Sequence, residues 1–402
     1  MRITRRTFLR NTAALAASGL LAGPTPRALA AALATQSTIQ DRILVVFELS
    51  GGNDGLNTVV PYGDDVYYKL RPTIGIKAKD VRKLDDHWGL NPGLLGFERL
   101  WQDGQLAIVH GCGYEQPSFS HFTSMAYWHT AAPNRGDEYG WYGRLADALT
   151  EEPTPNLLIN IDTTQSLAVK SRLHTPVVFD EPERFQRRTL FQEHGVLDKV
   201  ASAATGNASL DYLNTVARSA AEASALIRNA WANYQTPIDY GLLSAQFPKV
   251  AACINAGLPT RLYYLAYRNN AFDTHVQQPD LHERLLSYAG DAVHGFIRDL
   301  ERLGVADRVA VLVFSEFGRR ATENTNQGTD HGTANVMFLA GKGVRGGHYG
   351  APPKLDALDE GDNLVFTTDF RRVYTTAIDG WLKSASAAKV LKGEFEQFNV
   401  FA

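Results

Sequence analysis

Four stretches of this 402-residue chain place residues able to do chemistry directly after apolar runs. Ser50 to Asn57 form a glycine-rich turn that presents the Asp54 carboxylate beside the amides of Asn53 and Asn57. The same pattern also suits a tight turn in which Asp54 caps the next helix. Gly111 to Phe122 bring Ser118, Ser120 and His121 together. A hydroxyl at a helix start beside an imidazole suits a nucleophile, because the helix end stabilises negative charge and its amides hold an anion. Either serine serves equally well as a plain N-cap. Asn269 to His275 contain Asp273 and His275 two positions apart, with Gln277 and His282 beyond, and such a pair can reach one cation from an exposed edge. In the last stretch Ser315, Glu316, Phe317, Gly318, Arg319 and Arg320 lead to Thr329, Asp330, His331 and Gly332. Charges this dense between apolar strands are costly to bury without a partner, which a metal or an anion would provide. For Asp330 and His331 the alternative is a polar turn with a hydrogen-bonded histidine.

The elements that must position these residues alternate between β-rich apolar runs and helical patterns, which predicts a mostly parallel sheet with helices on both faces. Strands are expected at Ile43 to Glu48, Leu106 to His110, Leu157 to Ile161, Leu262 to Tyr267, Val309 to Phe314 and Val336 to Ala340. Helices are expected near Pro92 to Gln102, Leu210 to Asn233, Leu242 to Ala256, Pro279 to Leu303 and Asp369 to Leu382. In open α/β sheets ligands gather at the carboxyl ends of strands, where all four stretches fall. Residues 31–402 read as a single α/β domain with an irregular insertion or subdomain at about 151–208, where Pro153, Pro155, Pro176 and Pro182 interrupt the pattern.

Ahead of that domain, Arg5 and Arg6 precede Phe8, Leu9 and Arg10, a twin-arginine export signature. An apolar Asn11 to Gly23 stretch and the small-residue pattern Ala28, Leu29, Ala30 complete a cleavable signal over residues 1–30. The chain is therefore expected to engage the twin-arginine translocation machinery and to reach the periplasm or the medium, with no permanent membrane span. Removing Arg2, Arg5, Arg6, Arg10 and Arg27 from a net charge of -3 leaves -3 - 5 = -8. That charge argues against a nucleic-acid partner. Cys112 and Cys253 can form one disulfide or stay as unlinked thiols.

Together the four stretches resemble the exported bacterial family of domain of unknown function 1501, within the alkaline phosphatase and sulfatase superfamily. The resemblance rests on Gly52 to Pro61, Ser120 to Phe122, Phe272 to His275, Ser315 to Arg319, Thr329 to Gly332 and Asp369 to Tyr374. It implies an alkaline-phosphatase-like fold and one or two metal sites. Asp54 would be the first carboxylate, Ser120 the nucleophile beside His121, Asp273 and His275 a later ligand pair, and His331 the last histidine. Glu316 and Asp330 stand at further ligand positions. Where the superfamily has Asp-His-Gly, this chain has Glu316, Phe317 and Gly318, so one metal-binding imidazole is replaced by an apolar ring. One site is then expected to be complete and the other impaired.

The chemistry so implied is metal-dependent hydrolysis of a phosphate or sulfate ester. A cation, an activated nucleophile and positive groups at the ester oxygens are its requirements. Zn, Mn or Ca suits mixed carboxylate and imidazole ligands, and Arg319 or Arg320 would clamp the small anionic substrate. The alternative function is a catalytically inactive member kept for binding or envelope assembly, which Phe317 favours.

Overall fold

The computed structural model describes residues 41–185, 206–244 and 246–401. The expected export signal lies outside the described residues. The central sheet is built from β1 (Ile43–Leu49), β2 (Leu106–Gly113), β3 (Leu158–Ile161), β4 (Val177–Phe179), β5 (Leu262–Tyr267), β6 (Val309–Phe314), β7 (Asn335–Ala340) and β8 (Gly347–Tyr349). Their order across the sheet is β8-β2-β7-β6-β1-β5-β3-β4, with a ninth strand, β9 (Thr368–Asp369), also pairing β2. All pairings are parallel except those of β7, which runs antiparallel to both β2 and β6.

β1 lies between β5 and β6 and is buried along its whole length. Alternation of side chains along a strand sends Ile43, Val45, Phe47 and Leu49 to one face and Leu44 and Val46 to the other. A short α1 (Asp65–Leu70) precedes the helices that cover the sheet. The first face packs on α2 (Leu95–Gln102), α5 (Ala208–Ala232), α6 (Phe247–Asn255) and α7 (Gln278–Arg302) through Phe97, Ile227, Phe247 and Phe296. The second packs on α3 (His121–Thr130), α4 (Trp141–Leu149) and α8 (Arg371–Thr375) through Trp128, Trp141 and Tyr374. Each fully buried apolar side chain of this kind stabilises the fold by roughly 1.5–3 kcal/mol. The fold is thus α/β with a mostly parallel central sheet and helices on both faces.

The helix expected over Asp369 to Leu382 is α8 followed by a π-helical stretch, Thr376–Leu382. Cys112 and Cys253 are both buried free thiols, and they belong to the cores on opposite faces of the sheet. Among the described residues no helix is long and apolar enough to cross a membrane.

Candidate metal centre

The loops after β1, β5 and β6 meet at the carboxyl edge of the sheet. After β1 the chain turns through Gly51 at φ 121°. A Cβ there would stand 2.6–2.7 Å from backbone atoms of Asn270 and Asp273, so glycine lets the loop after β5 come close. That loop passes through Asn269 and Asn270, both left-handed, and is pinned where Phe272 N donates to Ser50 O at 3.0 Å. After β6, an isolated antiparallel bridge between Arg319 and His331 folds the last polar loop back on itself. From the opposite sheet face, α3 begins beside them, with Ser120 as its extended N-cap.

Four side chains converge there. His331 Nε2 lies 3.1 Å and His275 Nε2 3.0 Å from Asp273 Oδ1, and the two imidazole nitrogens are 3.0 Å apart. His121 Nε2 is 3.4 Å from Asp273 Oδ2. That nitrogen is buried and has no hydrogen-bond partner among the described residues. In each histidine the far nitrogen donates to an oxygen that can only accept. His121 Nδ1 donates to Glu316 Oε1 at 2.8 Å, His331 Nδ1 to the Phe119 carbonyl at 2.7 Å and His275 Nδ1 to Asp330 Oδ1 at 3.2 Å. In the neutral ring this fixes the proton on Nδ1 and leaves Nε2 as a lone pair. Three lone pairs and a carboxylate therefore face one another, an arrangement that repels itself unless a cation or added protons lie between.

Ligand atoms about 2.0–2.1 Å from a tetrahedral zinc ion are separated by about 3.3–3.4 Å, close to the spacings here. His121, Asp273 and His331 each offer one atom, all within 4.8 Å of one another. His275, the most exposed of the four at 38% against 14% for His121, stands on the outer side. Burial opposes ionisation of Asp273, but the hydrogen-bonded Arg319 guanidinium is the chief influence the other way, and the carboxyl is held at about 2. The hydrogen bond to Glu316 raises the His121 imidazole above its ordinary range, whereas burial lowers that of His331.

Several residues expected at the site occupy other positions. Asp54 is buried in an ion pair with Arg71 at 2.6 Å, accepts from Gln278 at 2.5 Å and caps the Gly55–Thr58 turn, so both its oxygens are engaged away from the four converging groups. Glu316 and Asp330 hold imidazoles rather than face the centre. Glu316 also accepts from Gly51 N, which fits its complete burial. Arg319 is buried and donates to the carbonyls of Gly51, Gly52, Phe272 and Thr329 and to Asp273, so each of its three nitrogens is already engaged within the protein. Arg320 is exposed. The Phe317 ring packs 4.9 Å from His121 and 4.8 Å from His331. Ser120, also exposed, makes no side-chain capping bond. Sequence reasoning assigned His121 to catalysis beside Ser120 and gave no role to Gln278 or Arg71, whose partners lie in distant loops.

This is an α/β protein whose polar centre sits at the carboxyl edge of a mostly parallel sheet. Residues 248–374 match the family model described as Protein of unknown function (DUF1501), so the family resemblance is shown over that segment. The match spans Asp273, His275, Glu316, Arg319, Asp330 and His331 and leaves Asp54, Ser120 and His121 outside. No curated protein matches the sequence. Similar solved structures include Ps i-CgsB in complex with k-i-k-neocarrahexaose, 12% identical, covering 88% of this chain and 74% of that one at a TM-score of 0.37. The C-terminal periplasmic domain of EcEptC from Escherichia coli in complex with Zn is 11% identical, with 75% and 73% covered and a TM-score of 0.34. The lipoteichoic acid synthase LtaP from Listeria monocytogenes is 9% identical, with 74% and 65% covered and a TM-score of 0.34.

Proposed function

We propose that this protein is an exported, metal-dependent hydrolase of phosphate or sulfate esters. The observation that carries the reading is the convergence of three imidazole lone pairs on Asp273, with each ring oriented from behind by an acceptor. His121, Asp273 and His331 would hold one divalent cation, with His275 beside them. Two or three nitrogens and one carboxylate suit zinc better than calcium, which takes six to eight oxygens. A cation at this point supplies Lewis acidity and positive charge for an anionic ester oxygen.

The chain's own groups divide the remaining work. Glu316, Asp330 and the Phe119 carbonyl keep the rings aimed inward. Ser120 offers an uncommitted hydroxyl at the start of a ten-residue helix, where the helix end favours developing negative charge. Arg320 replaces Arg319 as the cation able to meet the ester from solvent. Exposed Phe119 and Phe122 flank Ser120 and His121, so aryl esters are the first substrates to try. Arg5 and Arg6 support delivery through the twin-arginine machinery to the periplasm or beyond.

The second reading, a binding or envelope-assembly protein that uses the cation only for structure, is favoured by Phe317 and by the engagement of all three Arg319 nitrogens within the protein. Metal analysis of the purified protein, with turnover of aryl phosphates and sulfates before and after chelation, separates the two. Chelation-sensitive turnover supports the hydrolase, bound metal without turnover supports the binding protein, and metal-free protein without turnover removes both uses of the cation.

A further inference from the structure

Two loops that carry centre residues are joined by one buried side chain that belongs to neither. Gln278, the first residue of α7, is completely buried. Its Oε1 accepts from the Thr274 hydroxyl at 3.0 Å and from the Thr329 hydroxyl at 2.6 Å. Thr274 lies between Asp273 and His275, and Thr329 stands two residues before His331. The backbones meet at the same place, where Thr329 N donates to Thr274 O at 3.3 Å.

The far side of the amide shows why only one orientation works. Its Nε2 donates to Asp54 Oδ2 at 2.5 Å, and the same oxygen accepts from Arg71 at 2.6 Å. Turned over, the amide oxygen would face a carboxylate and the amide nitrogen would face the two hydroxyls. Arg71 continues the chain of contacts by donating to the carbonyls of Ala321 at 2.9 Å and Arg320 at 3.0 Å. One buried carboxylate and one buried guanidinium thus anchor an amide that holds the Asp273–His275 loop against the Thr329–His331 loop.

We infer that Gln278 is a positioning residue for the metal centre, setting the separation between Asp273 and His331 through Thr274 and Thr329, with Asp54 and Arg71 as its anchor. The inference rests on the metal reading above. It also accounts for Asp54, a buried carboxylate near the sheet edge that faces no ligand. Metal affinity depends on residues behind the ligands because small shifts of a ligand atom degrade coordination, and their loss typically weakens binding roughly 10–100-fold.

The test uses the whole protein with Co²⁺ as the probe, titrated by its visible absorption, and Zn²⁺ by competition. Gln278→Met keeps the length and removes every hydrogen bond of the amide. It should weaken Co²⁺ binding roughly 10–100-fold and alter the absorption band. Thr274→Val and Thr329→Val, which perturb the fold less, decide the matter where Gln278→Met does not fold. Each should weaken Co²⁺ binding about 5-fold, as for one net hydrogen bond. The double variant should lose less than the product of the two losses, because both act through one oxygen atom. Unchanged Co²⁺ affinity and spectrum in these variants, even with lowered melting temperatures, overturn the inference and leave the metal reading standing. Independent, multiplicative losses overturn it as well. A wild-type protein that takes up neither Co²⁺ nor Zn²⁺ removes the metal reading itself, and the inference with it.

Discussion

Protonating His282 should cost this protein a large share of its stability, and the effect can be isolated with one substitution. The ring is buried, with Nε2 2.9 Å from Asn53 Oδ1. Burial lowers its pKa from 6.5 to about 4; Asp54 opposes the shift, while the positive charges of Arg71 and Arg319 add to it. The folded value lies below the unfolded one, so as pH falls the unfolded chain takes up the proton first. Stability is therefore lost progressively from pH 6.5 toward pH 4, and the loss levels off below that. The shift is 6.5 - 4 = 2.5 units, and at about 1.36 kcal/mol per unit the loss is on the order of 3 kcal/mol, a large fraction of a typical 5–15 kcal/mol. His282→Gln keeps a donor near Asn53 and removes the titration. Urea denaturation followed by tryptophan fluorescence at pH 7.5 and pH 4, with chelator present, should show the wild type losing about 3 kcal/mol more than the variant. Equal losses in the two proteins would refute the argument, because every other titrating group is common to both.

Replacing His331 with Ala removes one of the three converging nitrogens. That variant should retain less metal and melt lower, with excess Zn²⁺ restoring part of both; full metal content and unchanged melting would show that the nitrogen is not a ligand. Ser120→Ala should abolish turnover of aryl esters and leave metal content unchanged, because the hydroxyl makes no capping bond that the fold needs. Full activity there moves the nucleophile to Ser118 or water. Changing Arg5 and Arg6 together to Lys should hold an uncleaved precursor in the cytoplasm, as read by fractionation and immunoblotting; normal delivery of that variant contradicts the export reading.

Strand positions at the centre of the sheet were legible because those strands are buried on both faces and read as continuous apolar runs. Leu262–Tyr267 and Val309–Phe314 fall where the sequence places them, and Ile43–Leu49 extends one residue further. Val177–Phe179, Gly347–Tyr349 and Thr368–Asp369 escaped notice because two or three residues carry no periodicity. They become strands only by pairing with a neighbour already in place.

At the centre, the sequence by itself determined which side chains are available. Asp273, His275, His331 and His121 lie in loops after apolar strands or open a helix, where side chains able to bind a cation can be read directly. What each does was decided by tertiary structure. Asp54 reads as a ligand until Arg71 and Gln278 are seen to engage one carboxylate oxygen and Asn57 N the other, and Arg319 reads as an anion clamp until four carbonyls and Asp273 engage its three nitrogens. Glu316 and Asp330 carry the same charge as Asp273, yet they orient imidazoles from behind. The physical reason is common to all of them. A charged or polar side chain acts through the partners it meets after folding, and, Asn57 apart, those partners lie 10 to 268 residues away along the chain.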